Sequence, residues 1–280
     1  MTYKIIGDSC LDLTENYKND PHFQLIPLTL QVEEEQVLDD ETFDQKRFLQ
    51  MVAASEQCPK SACPSPDAYY QAIDQADAEM IFIITLSQHL SGSYNSACVG
   101  KEMYIEECGN KKQIEVISSD SASVGQTMIA FKIKELAEKG ADFTDICKAV
   151  DVFKKEMNTY FVLESLETLR KNGRLTGIQA FFASALNIKP IMGADSGKII
   201  KLDQARGITR ALTHMVNIVV KDLKNPEEKV LGIAHCNCPA RAQQVKEMIL
   251  SKVSVKEVYI VDTAGVSTMY ANDGGIIIAC

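Results

Sequence analysis

A polar turn with two hydroxyls and a glycine offers the clearest chemistry in this sequence. Ser91, Gly92 and Ser93 follow an apolar run at residues 80–85 and precede a helix predicted to begin near Gly92. The first amides of a helix have no intrahelical acceptor and its dipole favours an anion, so this turn could hold a carboxylate or a phosphate. A serine that only caps the helix would give the same pattern, and taken alone the stretch fits a cap better.

Two more polar turns follow predicted strands. Asp8-Ser9 comes after a strand at residues 3–7, and Asp120-Ser121 comes after one at residues 114–118. In a parallel sheet the carboxyl ends of the strands share one edge, where ligands bind. Three polar turns at one edge predict a site better than any one of them alone.

Composition excludes several classes of protein. The chain has 280 residues, 46% of them apolar and 24% charged, and a net charge of −9. An acidic chain without a basic stripe argues against nucleic acid and against an anionic membrane surface as partners. No apolar segment approaches the roughly 20 residues of a membrane span, and the strand-like start predicts no signal peptide. We therefore expect a cytoplasmic protein.

The nine cysteines do not predict a metal site. They are irregularly spaced and include no Cys-x-x-Cys pair, so most are expected to be small buried side chains in a reducing compartment. His235-Cys236-Asn237-Cys238 resembles a metal cluster, but its spacing is too tight for the usual zinc patterns. No metal and no cofactor are predicted.

Hydrophobic patterning predicts an α/β fold with two domains. In residues 1–158, strands and helices alternate, which implies a mainly parallel sheet with helices on both faces. Residues 24–31 read as one strand and residues 42–54 as a helix. Residues 159–280 form a second, mixed α/β domain, with an apolar helix at 178–186 carrying Phe181 and Phe182, and a hairpin turn at 194–197. A ligand would lie between the domains.

No catalytic constellation is evident. The chain has no phosphate-binding Gly-x-Gly-x-x-Gly, no P-loop and no Gly-x-Ser-x-Gly elbow. A dyad of His89 and Ser91 is disfavoured, because residues two apart at such a turn point apart and no acid is placed to orient the histidine. Arg174, which follows a predicted helix-ending Gly173, could lie at the mouth of the cleft or form a salt bridge. The residues therefore predict a cleft with an anion-binding head.

Several ordered motifs resemble the DegV family of bacterial fatty-acid-binding proteins, the FakB partners of a fatty acid kinase. The resemblance spans nearly the full length. It rests on Asp-Ser-x-x-Asp-Leu at residues 8–13, Lys-Ser-Ala-Cys-Pro-Ser-Pro at 60–66, Leu-Ser-Gly-Ser-Tyr-Asn-Ser-Ala at 90–97, Asp120-Ser121, the stretch 163–175 and the part beginning at His235. Each motif is short, but their order makes the set specific.

The resemblance implies a long-chain fatty acid held between the two domains. Its carboxylate would meet Ser61, at the position of a family threonine, the Ser91-Gly92-Ser93 turn, and Arg174. The bound acid would be presented to a separate kinase that phosphorylates the carboxylate to an acyl phosphate, so this chain would be a binding subunit and not an enzyme.

The sequence departs from the family pattern at two places. Ala62 and Cys63 replace a serine and a glutamine, and the C-terminal turn that usually reads His-Thr-Gly-Pro-Gly has Tyr270 at the histidine position. A phenol donates a hydrogen bond but carries no charge near neutral pH.

Two alternative functions stay open: an enzyme acting on a small phosphorylated or carboxylated metabolite at the same edge, and a carrier of another amphipathic lipid.

Overall fold

The computed structural model describes residues 2–175 and 187–280, so the predicted helix with Phe181 and Phe182 lies outside the described residues. The strands are, in chain order, β1 (Tyr3–Asp8), β2 (Phe23–Ile26), β3 (Thr29–Val32), β4 (Glu35–Leu38), β5 (Lys60–Ala62), β6 (Met80–Thr85), β7 (Gln113–Ser118), β8 (Thr159–Val162), β9 (Ile188–Asp195), β10 (Lys198–Arg206), β11 (Val230–His235), β12 (Glu257–Asp262) and β13 (Ile276–Ala279). The helices are α1 (Glu15–Lys18), α2 (Gln45–Ala54), α3 (Pro66–Gln75), α4 (Ser93–Cys108), α5 (Val124–Glu138), α6 (Phe143–Glu156), α7 (Glu167–Lys171), α8 (Ile208–Asp222), α9 (Pro239–Leu250) and α10 (Gly265–Ala271).

A four-stranded parallel sheet in the order β2-β1-β6-β7 forms the centre of the first half. Its residues alternate between two apolar cores, as the period of a strand requires. Ile5 and Phe82 pack under α5 and α6, whereas their neighbours Ile6 and Ile83 pack under α3 and α4. The prediction of a parallel sheet with helices on both faces is confirmed.

A small antiparallel sheet, in the order β4-β3-β5, was not predicted. The single strand predicted at residues 24–31 is wrong, because β2 ends at Ile26 and β3 starts at Thr29 in a different sheet. Pro27 stands at the switch, and a proline cannot donate a backbone hydrogen bond to a continuing ladder. The helix predicted from residue 42 starts at Gln45, since the Asp44 side chain caps it by accepting from the amide of Arg47 (3.0 Å).

The second half is built on a six-stranded mixed sheet in the order β10-β9-β8-β13-β11-β12. One face packs under α8 and α9, and part of the other face packs on α5 of the first half. The predicted hairpin is confirmed: β9 and β10 join through Ser196 and Gly197, both with positive φ (48° and 80°), as a type I′ turn needs. The mixed α/β class is confirmed, while the domain boundary at 158/159 stays a prediction.

The contact between α5 and the six-stranded sheet depends on a glycine. A Cβ added at Gly232 of β11 would lie 2.3 Å from Cγ2 of Val124 and 3.2 Å from the sulfur of Met128. Since both neighbours are buried, a side chain at this position would force the two halves of the molecule apart.

We predict that Gly232→Ala lowers the free energy of unfolding by about 1–3 kcal/mol through overpacking. Val124→Ala removes the clashing methyl groups, so the double variant should be more stable than the sum of the two single effects predicts. Urea denaturation of the four proteins measures this coupling. Strictly additive effects would contradict the close approach of β11 to α5.

Candidate ligand-binding site

An apolar cavity of about 760 Å³, its open mouth included, lies between the carboxyl edge of the parallel sheet and the inner face of the six-stranded sheet. Its apolar lining comes from both halves of the chain and includes Leu86, Leu90, Phe161, Leu163, Leu169, Ile199, Val266 and Ile277. An apolar lining of this kind suits an apolar ligand body with a few polar contacts.

Strand β8 runs along the cavity. Thr159, Phe161 and Leu163 line it, while the alternating Tyr160 and Val162 point into the core under α8. The four steps from Thr159 to Leu163 span roughly 13 Å at the rise of a strand. The cavity is therefore a passage with two ends, one at Leu163 and one at Thr159.

Arg174 lies at the Leu163 end. The turn after α7 places it there, because Gly173 has a φ of 75° and the amide of Arg174 donates back to the Leu169 carbonyl (2.8 Å). Its guanidinium donates to the carbonyl oxygens of Leu90 (3.1 Å) and Asn172. Among residues 2–175 and 187–280 no carboxylate pairs with Arg174. A guanidinium has five N–H donors, so the contacts with the described part of the chain leave most of them available for an anion in the cavity.

Tyr270 faces Arg174 across the same end of the cavity. The guanidinium carbon lies 5.8 Å from the centre of the Tyr270 ring, and the phenol oxygen lies 3.2 Å from Oγ of Ser61 on β5. Burial raises the pKa of the Tyr270 phenol, although Ser61 and Arg174 act to lower it, so the group stays a neutral hydrogen-bond donor at pH 7. Three of the predicted residues are thus brought together.

The Ser91-Gly92-Ser93 turn stands next to this end, directly after the cavity-lining Leu90. Helix α4 begins at Ser93, and Oγ of Ser91 accepts from the Ser93 amide (3.2 Å) and lies 3.1 Å from the Ser93 hydroxyl. Ser93 itself is fully buried, and its side chain acts to lower the pKa of the buried Asp8. At Gly92 the close approach comes from Cys63, whose sulfur would lie 3.1 Å from an added Cβ.

The other two polar turns reach the same edge with different roles. Asp8 is buried and accepts from the Leu86 amide (2.9 Å) and from Gln126 (2.9 Å), so it ties strands together and does not face the cavity. Asp120 and Ser121 do line the cavity, but at the Thr159 end, away from Arg174.

Helix α10 carries Val266, Ser267 and Tyr270 into the cavity wall, and two buried carboxylates of the first half hold its start. Asp39 accepts from the amides of Gly265 (2.5 Å) and Val266 (2.8 Å) and from the hydroxyl of Ser9 (2.8 Å). Sequence reasoning missed this anchor. Asp39 lies in no motif, and its two partners on α10 are 226 and 227 residues away along the chain.

Asp12 is the second anchor of α10. Its carboxylate accepts from the Ala264 amide (2.7 Å) and from the Ser123 hydroxyl (2.5 Å). The Asp-Ser-x-x-Asp-Leu motif marks Asp12 as a residue of interest. Nothing in the sequence, however, indicates its partner 252 residues away.

The model of the DegV family, described as an uncharacterised protein family, matches residues 2–279. The chain belongs to the DegV family. A DegV domain-containing protein of Streptococcus gordonii is 32% identical over 280 residues, which cover 99% of this chain and 98% of that protein. The resemblance predicted from the ordered motifs is therefore confirmed.

Solved structures of the DegV family share the whole fold. One from Ruminococcus gnavus, refined with vaccenic acid, is 48% identical with a TM-score of 0.97 and full coverage of both chains. The Streptococcus pneumoniae fatty acid kinase (Fak) B3 protein, loaded with linoleic acid, is 30% identical with a TM-score of 0.89, over 100% of this chain and 99% of that one. A Eubacterium eligens protein loaded with heptadecanoic acid is 28% identical with a TM-score of 0.90, over 99% of each chain.

His235 and Cys236 take part in the contacts and packing of this DegV-family fold. Nδ1 of His235 lies 3.2 Å from Asp262, and Cys236 is fully buried. Within the described ranges no three His, Cys, Asp or Glu side chains are grouped to hold a metal ion, and no helix is long and apolar enough to cross a membrane.

Burial raises the pKa of Asp12 to about 7, well above the value of about 3.9 for an exposed aspartate. The folded state therefore binds this proton more tightly than the unfolded state, and the resulting stabilisation is lost as the pH rises through 7. We predict that the melting temperature increases as the pH falls from 7.5 to 5.

Asp12→Asn, which mimics the protonated side chain, should reduce the pH slope of the unfolding free energy by up to about 1.4 kcal/mol per pH unit. The exposed Asp77→Asn is the matched control and should keep the wild-type slope. Calorimetry across this pH range measures the slope for each protein. A slope that is equal in Asp12→Asn and wild type would contradict the raised pKa of Asp12.

Proposed function

We propose that this protein binds a long-chain fatty acid in the cavity between its two halves, 1–158 and 159–280, and presents the carboxylate to a separate fatty acid kinase. The carboxylate would lie at Arg174, Tyr270 and Ser61, next to Ser91 and Gly92 of the turn that ends at the buried Ser93. The chain would lie along β8 toward Thr159. The protein would bind and present, while the kinase would supply nucleotide and catalysis.

The observation that carries this proposal is Arg174 at one end of an apolar cavity. Its guanidinium donates to two backbone carbonyls and has no carboxylate partner in the described ranges. A half-buried charge of this kind is stabilised by a ligand anion. Apolar lining beyond it suits a hydrocarbon chain, and a small, highly charged metabolite would leave most of that lining in contact with water.

The energetics agree with a fatty chain as the main source of affinity. Each buried methylene contributes about 0.8 kcal/mol, so a sixteen-carbon chain could supply on the order of 10 kcal/mol before ordering costs. The polar end would then fix the position of the carboxylate and add less to affinity. Another amphipathic lipid would draw on the same lining, and lipid extraction followed by mass spectrometry of the purified protein distinguishes it from a fatty acid.

Two findings support the kinase as partner and the cytoplasm as the location. The 30%-identical Streptococcus pneumoniae relative carries the name fatty acid kinase B3 protein. All nine cysteines are free, which fits a reducing compartment. The acyl phosphate would form at the mouth, where Ser91 and the exposed Gly92 stand.

We predict that Arg174→Gln and Ser91→Ala impair presentation more than affinity. Acyl phosphate formation with the kinase should fall more than tenfold in Arg174→Gln, while the dissociation constant for oleate rises less than tenfold, because the chain supplies most of the binding. Both quantities are measured on the same preparations, by coupled kinase assay and by titration.

Arg170→Gln is the matched control for this experiment. Arg170 lies one turn earlier on α7, is 43% exposed and pairs with Glu167, so the same change of charge occurs away from the cavity. It should behave as wild type in both assays. Equal and total loss of oleate binding in Arg174→Gln and Ser91→Ala would contradict the division between chain and head group.

A further inference from the structure

The Thr159 end of the apolar cavity stops at a polar wall that a second cavity shares. Asp120, Thr159, Ala194 and Gly197 line the apolar cavity on one side. On their other side they line a cavity whose remaining wall is largely charged and polar, including Asp151, Lys154, Lys155 and Asn158. A chain that grew past this wall would leave an apolar environment for a polar one.

An ion pair forms the outer layer of this wall. The Asp120 carboxylate lies 3.2 Å from Nζ of Lys154, with side chains that are 28% and 18% exposed. Ser118 holds both partners, because its hydroxyl donates to Asp120 (3.1 Å) and its carbonyl oxygen accepts from Lys154 (3.0 Å). Separating the pair to admit a hydrocarbon would leave two poorly solvated charges.

The inner layer is a closed pair of hydroxyls. Ser121 and Thr159 lie 2.7 Å apart, and both are buried. One of the two hydroxyls donates to the other, and the Ser121 hydroxyl also has the Ala122 carbonyl oxygen as an acceptor (3.5 Å). A terminal methyl can therefore pack against the pair without breaking these hydrogen bonds.

The hairpin turn of β9 and β10 fastens the wall to the first half. The Ser87 hydroxyl donates to the Gly197 carbonyl oxygen (2.7 Å). A Cβ at Gly197 would lie 2.5 Å from that same hydroxyl and 3.1 Å from Cα of Asp120. This packing leaves no room for a chain to pass between the turn and the strand ends.

We infer that this distal wall, formed by Asp120, Ser121, Thr159, Ala194 and Gly197, sets the longest acyl chain that the cavity accepts. The inference rests on the proposed function, since it assumes that the carboxylate lies at Arg174. Every methylene up to the wall adds buried apolar area, and any methylene beyond it must displace the ion pair.

The test is a series of straight-chain fatty acids from 12 to 24 carbons, with each dissociation constant measured by competition against a fluorescent fatty acid. In the wild type the affinity should rise about fourfold per methylene and then stop rising at one chain length. In Asp120→Ala this limit should move at least two carbons upward, and the acid two carbons longer than the wild-type limit should bind the variant more than twofold more tightly than it binds the wild type. Acids below the limit should keep their wild-type affinity within twofold.

Ala194→Leu should move the limit in the opposite direction, because its larger side chain extends into the same end of the cavity. Melting temperatures are recorded for every variant, and if Ala194→Leu does not fold, Asp120→Ala alone decides. Lys132→Ala is the control, since it breaks a comparable ion pair with Glu135 (3.2 Å) outside the cavity wall and should leave the limit unchanged.

An unchanged limit in an Asp120→Ala protein that still binds fatty acid overturns the inference and leaves the proposed function standing. Failure of the wild type to bind any acid of the series overturns the proposed function itself. A limit that moves in Lys132→Ala as well as in Asp120→Ala would also overturn the role of the wall.

Discussion

The rest of the site depends on the hydrogen bonds that two buried carboxylates accept from the backbone amides at the start of helix α10. Asp39 accepts from the first two amides of the helix, and Asp12 accepts from the amide that precedes them. The carboxylates belong to the first half of the chain and the helix to the second, so these hydrogen bonds set the distance between the halves. These hydrogen bonds lie away from water, which makes their loss costly.

The shape of the cavity depends on the position of α10 that these hydrogen bonds fix. With α10 held, Tyr270 stands beside Ser61 and Arg174, and Val266 and Ser267 close the side of the apolar passage. One end of the passage then carries a guanidinium without a carboxylate partner among the described residues, and the other carries a hydrogen-bonded hydroxyl pair and an ion pair. This asymmetry favours one orientation of an amphipathic anion: the charge goes to the end with free donors, and the methyl group goes to the end without them.

Features that arise from local sequence could be predicted, and features that arise from distant pairs could not. The apolar runs predicted β1, β6 and β7, and the residues of the turn predicted the hairpin of β9 and β10, because each depends on neighbours in the chain. Arg174 could be predicted as a residue of the cleft because Gly173 ends a helix just before it. The ordered motifs predicted the DegV family, and the family match confirms it.

Other parts of the site depend on residues far apart in the chain. Asp39 meets Gly265 across 226 residues, Ser121 meets Thr159 across 38, and Cys63 packs closely over Gly92. The burial of Ser93 also depends on residues far apart in the chain, because the start of α4 packs near the buried Asp8. A single sequence shows these polar residues but not their partners.

The most direct measurement is a crystal structure of the protein grown with an eighteen-carbon fatty acid. Our account predicts one acyl chain in the cavity along β8. A carboxylate oxygen should lie within hydrogen-bonding distance of the Arg174 guanidinium and of Tyr270 or Ser61, and the methyl end should lie against Thr159. A carboxylate at the Thr159 end, or a fatty acid bound only outside the cavity, would contradict the account.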